Sequence, residues 1–241
     1  MARKVAPSYE MREVRYPPSR WELLWELRAA GVCVMGALAA RGMEPIVHGS
    51  AARGDVGPAS DVDVLVPDVA PSLMVEGALA AAGIHFAKRE IAQATPAHAV
   101  KAIIHVDERV KLTFPLVPLR GRERDFYRFG GEVGIAGMKG RVRAPGVDKR
   151  LMMIVPTEVG HYEVSAVGNA TEVARTVGVS VETVEERIRV LTRRDTVGRT
   201  GVYFKEEVLD DETFEGRLAA RAAEDPSLRR LLQSRGGSLK Y

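Results

Sequence analysis

The 241-residue chain has a single cysteine, Cys33, which excludes a disulfide within one chain. Its five histidines are scattered, and no Cys/His set has the spacing of a zinc site. No apolar run approaches the ~20 residues that a membrane span needs. The N-terminal stretch has no apolar signal-peptide core. We therefore expect a cytoplasmic protein with no membrane partner.

Neither sign of charge is in large excess, since the net charge is only +3. Such a mild excess is compatible with a nucleic-acid partner but does not indicate one. Hydrophobic residues make up 46% of the chain, which is ample for one large domain or two modest ones. The composition leaves the oligomeric state open.

The most informative stretch runs from Ile46 to Val66 and reads IVHGSAARGDVGPASDVDVLV. A short strand is broken at Gly49-Ser50, and a small, polar run follows. From Asp61 onward polar and apolar residues alternate, so the carboxylates of Asp61 and Asp63 leave the same face of a strand, with Cα atoms about 6.6 Å apart. Carboxylates of that reach can converge on a pair of divalent cations.

The Gly49-Ser50 pair complements these carboxylates. Glycine lets the backbone approach a phosphate closely. A helix that starts just after Ser50 would attract an anion through its free N–H groups and dipole, and Arg53 could add a charge-assisted bond to phosphate oxygens. Because Mg²⁺ usually bridges carboxylates and substrate phosphates, one segment holds both halves of a metal–triphosphate site.

Gly-Ser followed by Asp-x-Asp resembles the signature of the DNA polymerase beta-like nucleotidyltransferase superfamily. The fuller form, GSAARG and then SDVDVLV, is similar to its small "minimal" domains, and the likeness covers roughly residues 20–120. The resemblance implies an α/β (α+β) nucleotidyltransferase fold with a mixed sheet. It also implies transfer of a nucleoside monophosphate from a nucleoside triphosphate (NTP) to a hydroxyl with two Mg²⁺ (or Mn²⁺).

Site residues follow from the same resemblance. Gly49, Ser50 and Arg53 would bind the nucleotide, and Asp61 and Asp63 would hold metal and act in catalysis. The alternative is a hairpin with a solvated Asp-x-Asp and an ordinary glycine turn.

One departure from the family concerns a third carboxylate, which active relatives carry on a neighbouring strand. That strand here reads VKLTFPLVP and has no acid, with Lys111 or Thr113 at the expected place. Asp107, in the preceding turn beside Glu108, is a candidate substitute in catalysis. The alternative is that both acids simply belong to a solvated hairpin turn. Without the third acid, the site could bind NTP yet transfer slowly or not at all.

The surrounding elements should give a mixed sheet with helices on one face. A capping box at Ser19 and Glu22 predicts a helix that stops at Gly42. A second helix is predicted over residues 71–82, followed by two or three strands over 84–92, 98–106 and 110–117.

A basic, glycine-rich region follows at residues 119–156, with aromatic residues among the arginines. Such a mixture suits contact with a nucleic-acid backbone and bases, and equally an ordinary mixed surface. Within it, residues 150–156 predict an apolar strand.

The last third resembles a small winged helix-turn-helix domain over residues 157–208. We expect a first helix over 157–168, helices capped by Asn169 and Ser180, and a hairpin "wing" over 195–208. The resemblance implies nucleic-acid binding, for which the candidate residues are Arg187, Arg193, Arg194, Arg199 and Lys205. Acidic residues early in the second helix oppose phosphate, and winged helices also bind proteins.

The predicted organisation is therefore a nucleotidyltransferase-like domain (1–118), a connecting region (119–156), a winged-helix domain (157–210), and a C-terminal helix at 226–234 with a mobile tail (211–241). The leading hypothesis is an enzyme that moves a nucleoside monophosphate from NTP to a nucleic-acid or protein hydroxyl with a divalent metal. The alternatives are a weak or inactive relative that regulates DNA through the wing domain, and a partner-binding scaffold.

Overall fold

Two β-sheets organise the chain in a computed structural model, which describes residues 11–198 and 201–236. The elements of the first half are β1 (Arg12–Arg15), α1 (Pro18–Ala39), β2 (Ile46–His48), α2 (Ser50–Arg53), β3 (Val62–Leu65), α3 (Ser72–Ala81), β4 (Lys88–Gln93), β5 (Lys101–His105) and β6 (Val110–Pro115). Those of the second half are α4 (Gly121–Phe129), β7 (Glu132–Gly134), α5 (Ile135–Lys139), β8 (Gly146–Val147), β9 (Met152–Thr157), β10 (Gly160–Ser165), α6 (Ala170–Val177), α7 (Val181–Val197), β11 (Phe204–Glu207), α8 (Phe214–Glu224) and α9 (Pro226–Ser234).

The larger sheet has the strand order β11-β4-β5-β6-β3-β2-β7. Its strands pair antiparallel except for β3 and β6, which are parallel. The predicted mixed sheet is confirmed, and so are its strands, which are shorter than the sequence indicated. The helix predicted over 71–82 is α3.

The core forms where α1 packs on the inner face of this sheet. Val47, Val62 and Val64 are fully buried there. A Cβ on Gly31 of α1 would lie 3.0 Å from Val62 Cγ1, so the glycine lets helix and sheet approach closely. With the valines inward, alternation turns the polar residues of β2 and β3 to the opposite face. We call it the open face because it is exposed at Asp61 and Lys111, although α4 covers it at His48.

The smaller sheet, β1-β10-β9-β8, corrects the prediction of a helix over 157–168. The apolar strand predicted at 150–156 is β9, and the chain turns directly into β10. Alternate residues of β10 are buried, but they include polar His161 and Glu163. Tyr16 bonds to His161 (Oη to Nδ1, 2.6 Å), and Arg150 donates to Glu163 (2.7 Å). Because these buried residues are polar, the sequence lacks the alternation of apolar and polar residues that would have indicated a strand.

Helices α6 and α7 form the predicted pair, joined at Gly178 with φ 69°. The predicted cap of α7 is confirmed, because the Thr183 backbone N–H donates to Ser180 Oγ (3.1 Å). At Asn169, where the other cap was expected, the side-chain amide instead donates back to the Ser165 carbonyl (2.9 Å).

The hairpin predicted over 195–208 is not formed by the residues that the structure describes. The last turn of α7 continues to Val197, and β11 pairs antiparallel with β4, with Phe204 opposite Gln93. β11 covers the edge of β4, which would otherwise present unpaired backbone groups, and Phe204 joins the main core. A winged-helix domain therefore lacks its wing in the described part of the chain.

The C-terminal helices also pack on the larger sheet. Phe214 of α8 is fully buried, with its ring 5.4 Å from that of Phe114 on β6. Helix α9 has the predicted bounds, and just after it Arg235 forms a buried ion pair with Glu123 of α4 (2.6 Å). The larger sheet thus takes strands from three of the four predicted segments. Among the described residues, no helix is long and apolar enough to cross a membrane.

Candidate functional site

Four polar residues lie side by side on the open face of the larger sheet. In register across β7, β2, β3 and β6 they are Glu132, His48, Asp63 and Lys111. Residues directly opposite each other on neighbouring strands project to the same side of a sheet. The sheet therefore sets a lysine, not an acid, beside the second aspartate of the Asp-x-Asp pair.

Asp61, just before β3, is ion-paired with this lysine. Lys111 Nζ lies 2.7 Å from Asp61 Oδ2, and the two side chains are 33% and 39% exposed. Burial alone would raise the pKa of Asp61, but the hydrogen bond and charge of Lys111 lower it below its usual value. The same bond raises the pKa of Lys111, so the pair is charged on both sides at neutral pH.

Asp63 has a different environment from Asp61. Burial raises its pKa, and the neighbouring Asp61 carboxylate raises it further, against the opposing charges of Lys111 and Lys149. Lys149 belongs to the turn between β8 and β9, so the smaller sheet brings a second cation near both aspartates.

The Gly49-Ser50 turn lies at the end of β2, next to this row. Gly49 has φ 78° and ψ −146°, and its N–H donates to the Gly131 carbonyl (3.0 Å). Ser50 Oγ donates to Ser60 Oγ (3.3 Å), which fixes the start of the turn against its end. The expected helix, α2, has only four residues, too few for the dipole effect that the sequence suggested.

The structure differs from the prediction at Arg53. Its guanidinium is buried, and it donates to the Gly130 carbonyl (2.6 Å) and to Asp55 (2.9 Å). These bonds hold the turn against the start of β7 and direct the charge away from solvent. A role in triphosphate binding is thus not supported for Arg53.

The structure also differs from the prediction at Asp107. It is exposed in the turn between β5 and β6, where Oδ1 accepts hydrogen bonds from the Arg109 and Val110 backbone N–H groups, both at 2.7 Å. The alternative interpretation, a solvated hairpin turn, describes this residue, and its carboxylate does not join the aspartates of β3.

The predicted Mg²⁺ pair fits these residues poorly. Two-metal sites need carboxylates that converge on cations about 3.5–4 Å apart. Here Asp61 is bound to an ammonium group, and no group of three His, Cys, Asp or Glu within 11–198 and 201–236 is placed to hold a metal. We therefore assign no step to a bound cation.

Comparison with known proteins finds one family model that resembles the part of the chain that contains this site. Residues 40–117 match the family model of the nucleotidyltransferase domain. The match covers about a third of the chain and includes the Gly49-Ser50 turn, both aspartates and Lys111. No curated protein and no solved structure matches the chain. The nucleotidyltransferase match agrees with the mixed sheet and supports the superfamily that the sequence motif indicated.

Sequence reasoning missed His48, which lies between Asp63 and Glu132 in the row of polar residues on the larger sheet. Its ring centroid is 4.8 Å from that of Tyr127 on α4. Burial, assisted by the charges of Lys101 and Arg53, lowers its pKa to about 3, so the imidazole is neutral at physiological pH. The position of His48 just before Gly49 could have indicated it as a site residue. No sequence signal indicated Glu132, because β7 is distant in sequence from β2, the strand with which it pairs.

The candidate nucleic-acid residues do not share one surface element. Arg187 packs over the Phe126 ring (4.8 Å), and burial lowers the pKa of its guanidinium. Lys205 is ion-paired with Glu90 (2.7 Å) on the larger sheet. Arg193 and Arg194 are exposed near the end of α7, and Arg199 lies outside the described residues.

Proposed function

We propose that the protein binds an NTP on the open face of the larger sheet and that it transfers nucleoside monophosphate to a hydroxyl acceptor slowly or not at all. The observation that carries this proposal is the ion pair between Lys111 and Asp61, set beside a Gly49-Ser50 turn in a stretch that matches the nucleotidyltransferase domain. The turn and the lysine suit phosphate, while the third acid needed for efficient transfer is replaced.

The binding half of the proposal follows from the chemistry of the donors. At Gly49 the absence of a Cβ lets phosphate oxygens come close to the backbone. The Ser50 hydroxyl can turn its proton from Ser60 toward a phosphate oxygen, because hydroxyl rotation costs little. Lys111 contributes a positive charge on the same face.

The expectation of slow transfer follows from the lack, among the described residues, of a group well placed to accept the proton of the attacking hydroxyl. A positioned proton acceptor contributes typically 10²–10⁴-fold to a rate. His48, although neutral, is packed against Tyr127, and Asp61 is held by Lys111. Asp63 remains, with a pKa that burial and the neighbouring Asp61 carboxylate raise, but one acid does not replace a set of three. We expect transfer to be slower than in relatives with three acids by about that same factor of 10²–10⁴.

The test has a binding arm and a transfer arm. Equilibrium dialysis with labelled ATP, CTP, GTP and UTP measures the affinity of the wild type and of Ser50→Ala, with Ser19→Ala on the exposed start of α1 as the matched control. We expect saturable binding, weakened in Ser50→Ala only. Absence of binding for all four nucleotides would contradict the proposal.

In the transfer arm, labelled NTP is incubated with nucleic-acid and protein acceptors, with Mg²⁺ or Mn²⁺. We expect little label on any acceptor. Rapid transfer that disappears in Asp63→Asn would show that the enzyme hypothesis holds and that the weak-transfer part of this proposal is wrong.

A second candidate function, nucleic-acid binding, is favoured by exposed arginines on α7. Arg189, Arg193 and Arg194 are all exposed on the second helix of a helix-turn-helix pair. Phosphate contacts of this kind lose affinity steeply as salt rises. Binding to duplex DNA or to RNA that falls with salt and drops in Arg193→Ala/Arg194→Ala would support it, and a flat response to salt would remove it.

A further inference from the structure

Lys111 occupies the middle of the open sheet face. Its cross-strand neighbours are Asp63 on β3 and His105 on β5, and its ammonium bonds to Asp61. Both neighbouring strands hold the backbone of Lys111 in register. The long side chain is thus anchored at its base by the sheet and at its tip by a carboxylate.

A lysine in place of an aspartate changes the charge at one position from −1 to +1. The difference of two units equals the charge of one divalent cation. The lysine thus changes the local net charge by as much as a divalent cation bound beside a retained aspartate would. Lys149, whose charge lowers the pKa of both aspartates, adds to the same positive field.

The ammonium group of Lys111 also has N–H donors that its bond to Asp61 does not use. It carries three N–H groups and no acceptor, and one bond, to Asp61, is formed in this structure. The Lys111 side chain is one-third exposed, so the remaining donors can reach a ligand from the solvent side. Charge-assisted bonds from ammonium to phosphate oxygens are among the stronger hydrogen bonds in proteins.

We propose that Lys111 takes the part of the divalent cation at Asp61, so that the triphosphate of a nucleotide binds here without a protein-bound metal. This inference rests on the proposed nucleotide binding. The ligand class is a nucleoside triphosphate. The specific claim is that its affinity does not depend on Mg²⁺ as long as Lys111 is present.

The experiment compares NTP affinity in EDTA with that in Mg²⁺, at equal ionic strength, for the wild type and three variants. Lys111→Asp restores an acid at the third position. Lys111→Gln removes the charge but keeps much of the side-chain length. Lys139→Asp makes the same charge change at an exposed position at the end of α5. Far-ultraviolet circular dichroism and a urea melt confirm that each variant is folded.

We expect the wild type and Lys139→Asp to bind NTP with affinities that differ by less than about threefold between EDTA and Mg²⁺. Lys111→Gln should bind about 10–100-fold more weakly in both media, because a charged hydrogen bond is lost. Lys111→Asp should bind only when Mg²⁺ is present.

A second readout does not use nucleotide at all. Titration with Mn²⁺, followed by electron paramagnetic resonance of the free ion, should show a specific site in Lys111→Asp that is absent from the wild type. If the wild type binds Mn²⁺ in the same way, the inference is wrong.

The outcomes separate the inference from the proposal beneath it. Wild-type binding of NTP that requires Mg²⁺ overturns the role of Lys111 while nucleotide binding stands. No binding of any NTP in either medium removes the proposed function itself. If Lys111→Asp does not fold, Lys111→Gln and the wild-type comparison still decide, since unchanged affinity in Lys111→Gln also overturns the inference.

Discussion

Gly49 offers a sharp test of the proposal that the Gly49-Ser50 turn binds a nucleotide, because its backbone conformation is costly for any other residue. With φ 78° and ψ −146° it lies close to a region that is essentially limited to glycine. An added Cβ would meet no atom within 4 Å, so a substitution there introduces backbone strain without a steric clash. Gly49→Ala should therefore lower the free energy of unfolding by about 1–3 kcal/mol.

The strain can be relieved only if the turn shifts, which would break the hydrogen bond from Gly49 N–H to the Gly131 carbonyl and move Ser50. We therefore expect NTP affinity to fall roughly tenfold, the equivalent of about 1.4 kcal/mol. Urea denaturation measures the stability, and equilibrium dialysis measures the affinity.

Gly42 provides the matched control. It also has a positive φ, 77°, and a Cβ added there would likewise meet no atom within 4 Å, but it lies in the turn after α1, outside the row on the sheet. Gly42→Ala should cost about 1–2 kcal/mol of stability and leave NTP affinity unchanged. The reasoning fails if Gly49→Ala binds NTP as tightly as Gly42→Ala does.

Three further predictions concern the frame around the site. Arg53→Ala should lower the free energy of unfolding by about 3 kcal/mol, because Asp55 stays buried without its partner; a urea melt measures this, and an unchanged midpoint would contradict it. Arg235→Ala should cost about 3 kcal/mol by leaving Glu123 buried without its ion pair, seen as a lower urea midpoint; an unchanged midpoint would show that the pair is not formed. Burial alone would raise the pKa of Glu90, but hydrogen bonds from two lysines and a histidine lower it from 4.5 to about 2. Its contribution to stability is complete above pH 4.5 and is lost as the pH falls toward 2, so Glu90→Gln should flatten the acid side of a stability-against-pH curve, and an unchanged acid side would contradict this.

The central strands could be predicted because their signals are local. Val62 and Val64 alternate with polar neighbours, and the turn between β5 and β6 separates two clear strand patterns. The pairing of β11 with β4 could not be predicted, because it joins residues more than a hundred positions apart and depends on the exposed edge of β4. The same edge explains why a segment that resembled a wing became part of the larger sheet.

The candidate site was predicted in part for the same reason. Asp61 and Asp63 follow from one strand pattern and the family motif, which left either Lys111 or Thr113 at the third position. The bond from Arg53 to the Gly130 carbonyl could not be predicted, because Gly130 is distant in sequence. The proposal of Asp107 as a substitute acid did not anticipate that backbone N–H groups of its own turn engage its carboxylate.

The most direct measurement is a crystal structure of the wild type soaked with NTP and Mn²⁺, with an anomalous difference map at the manganese edge. We expect triphosphate density beside Lys111 and the Gly49-Ser50 turn, with no manganese peak on Asp61. A manganese ion bound by Asp61 and Asp63, with Lys111 displaced from its carboxylate partner, would contradict the account.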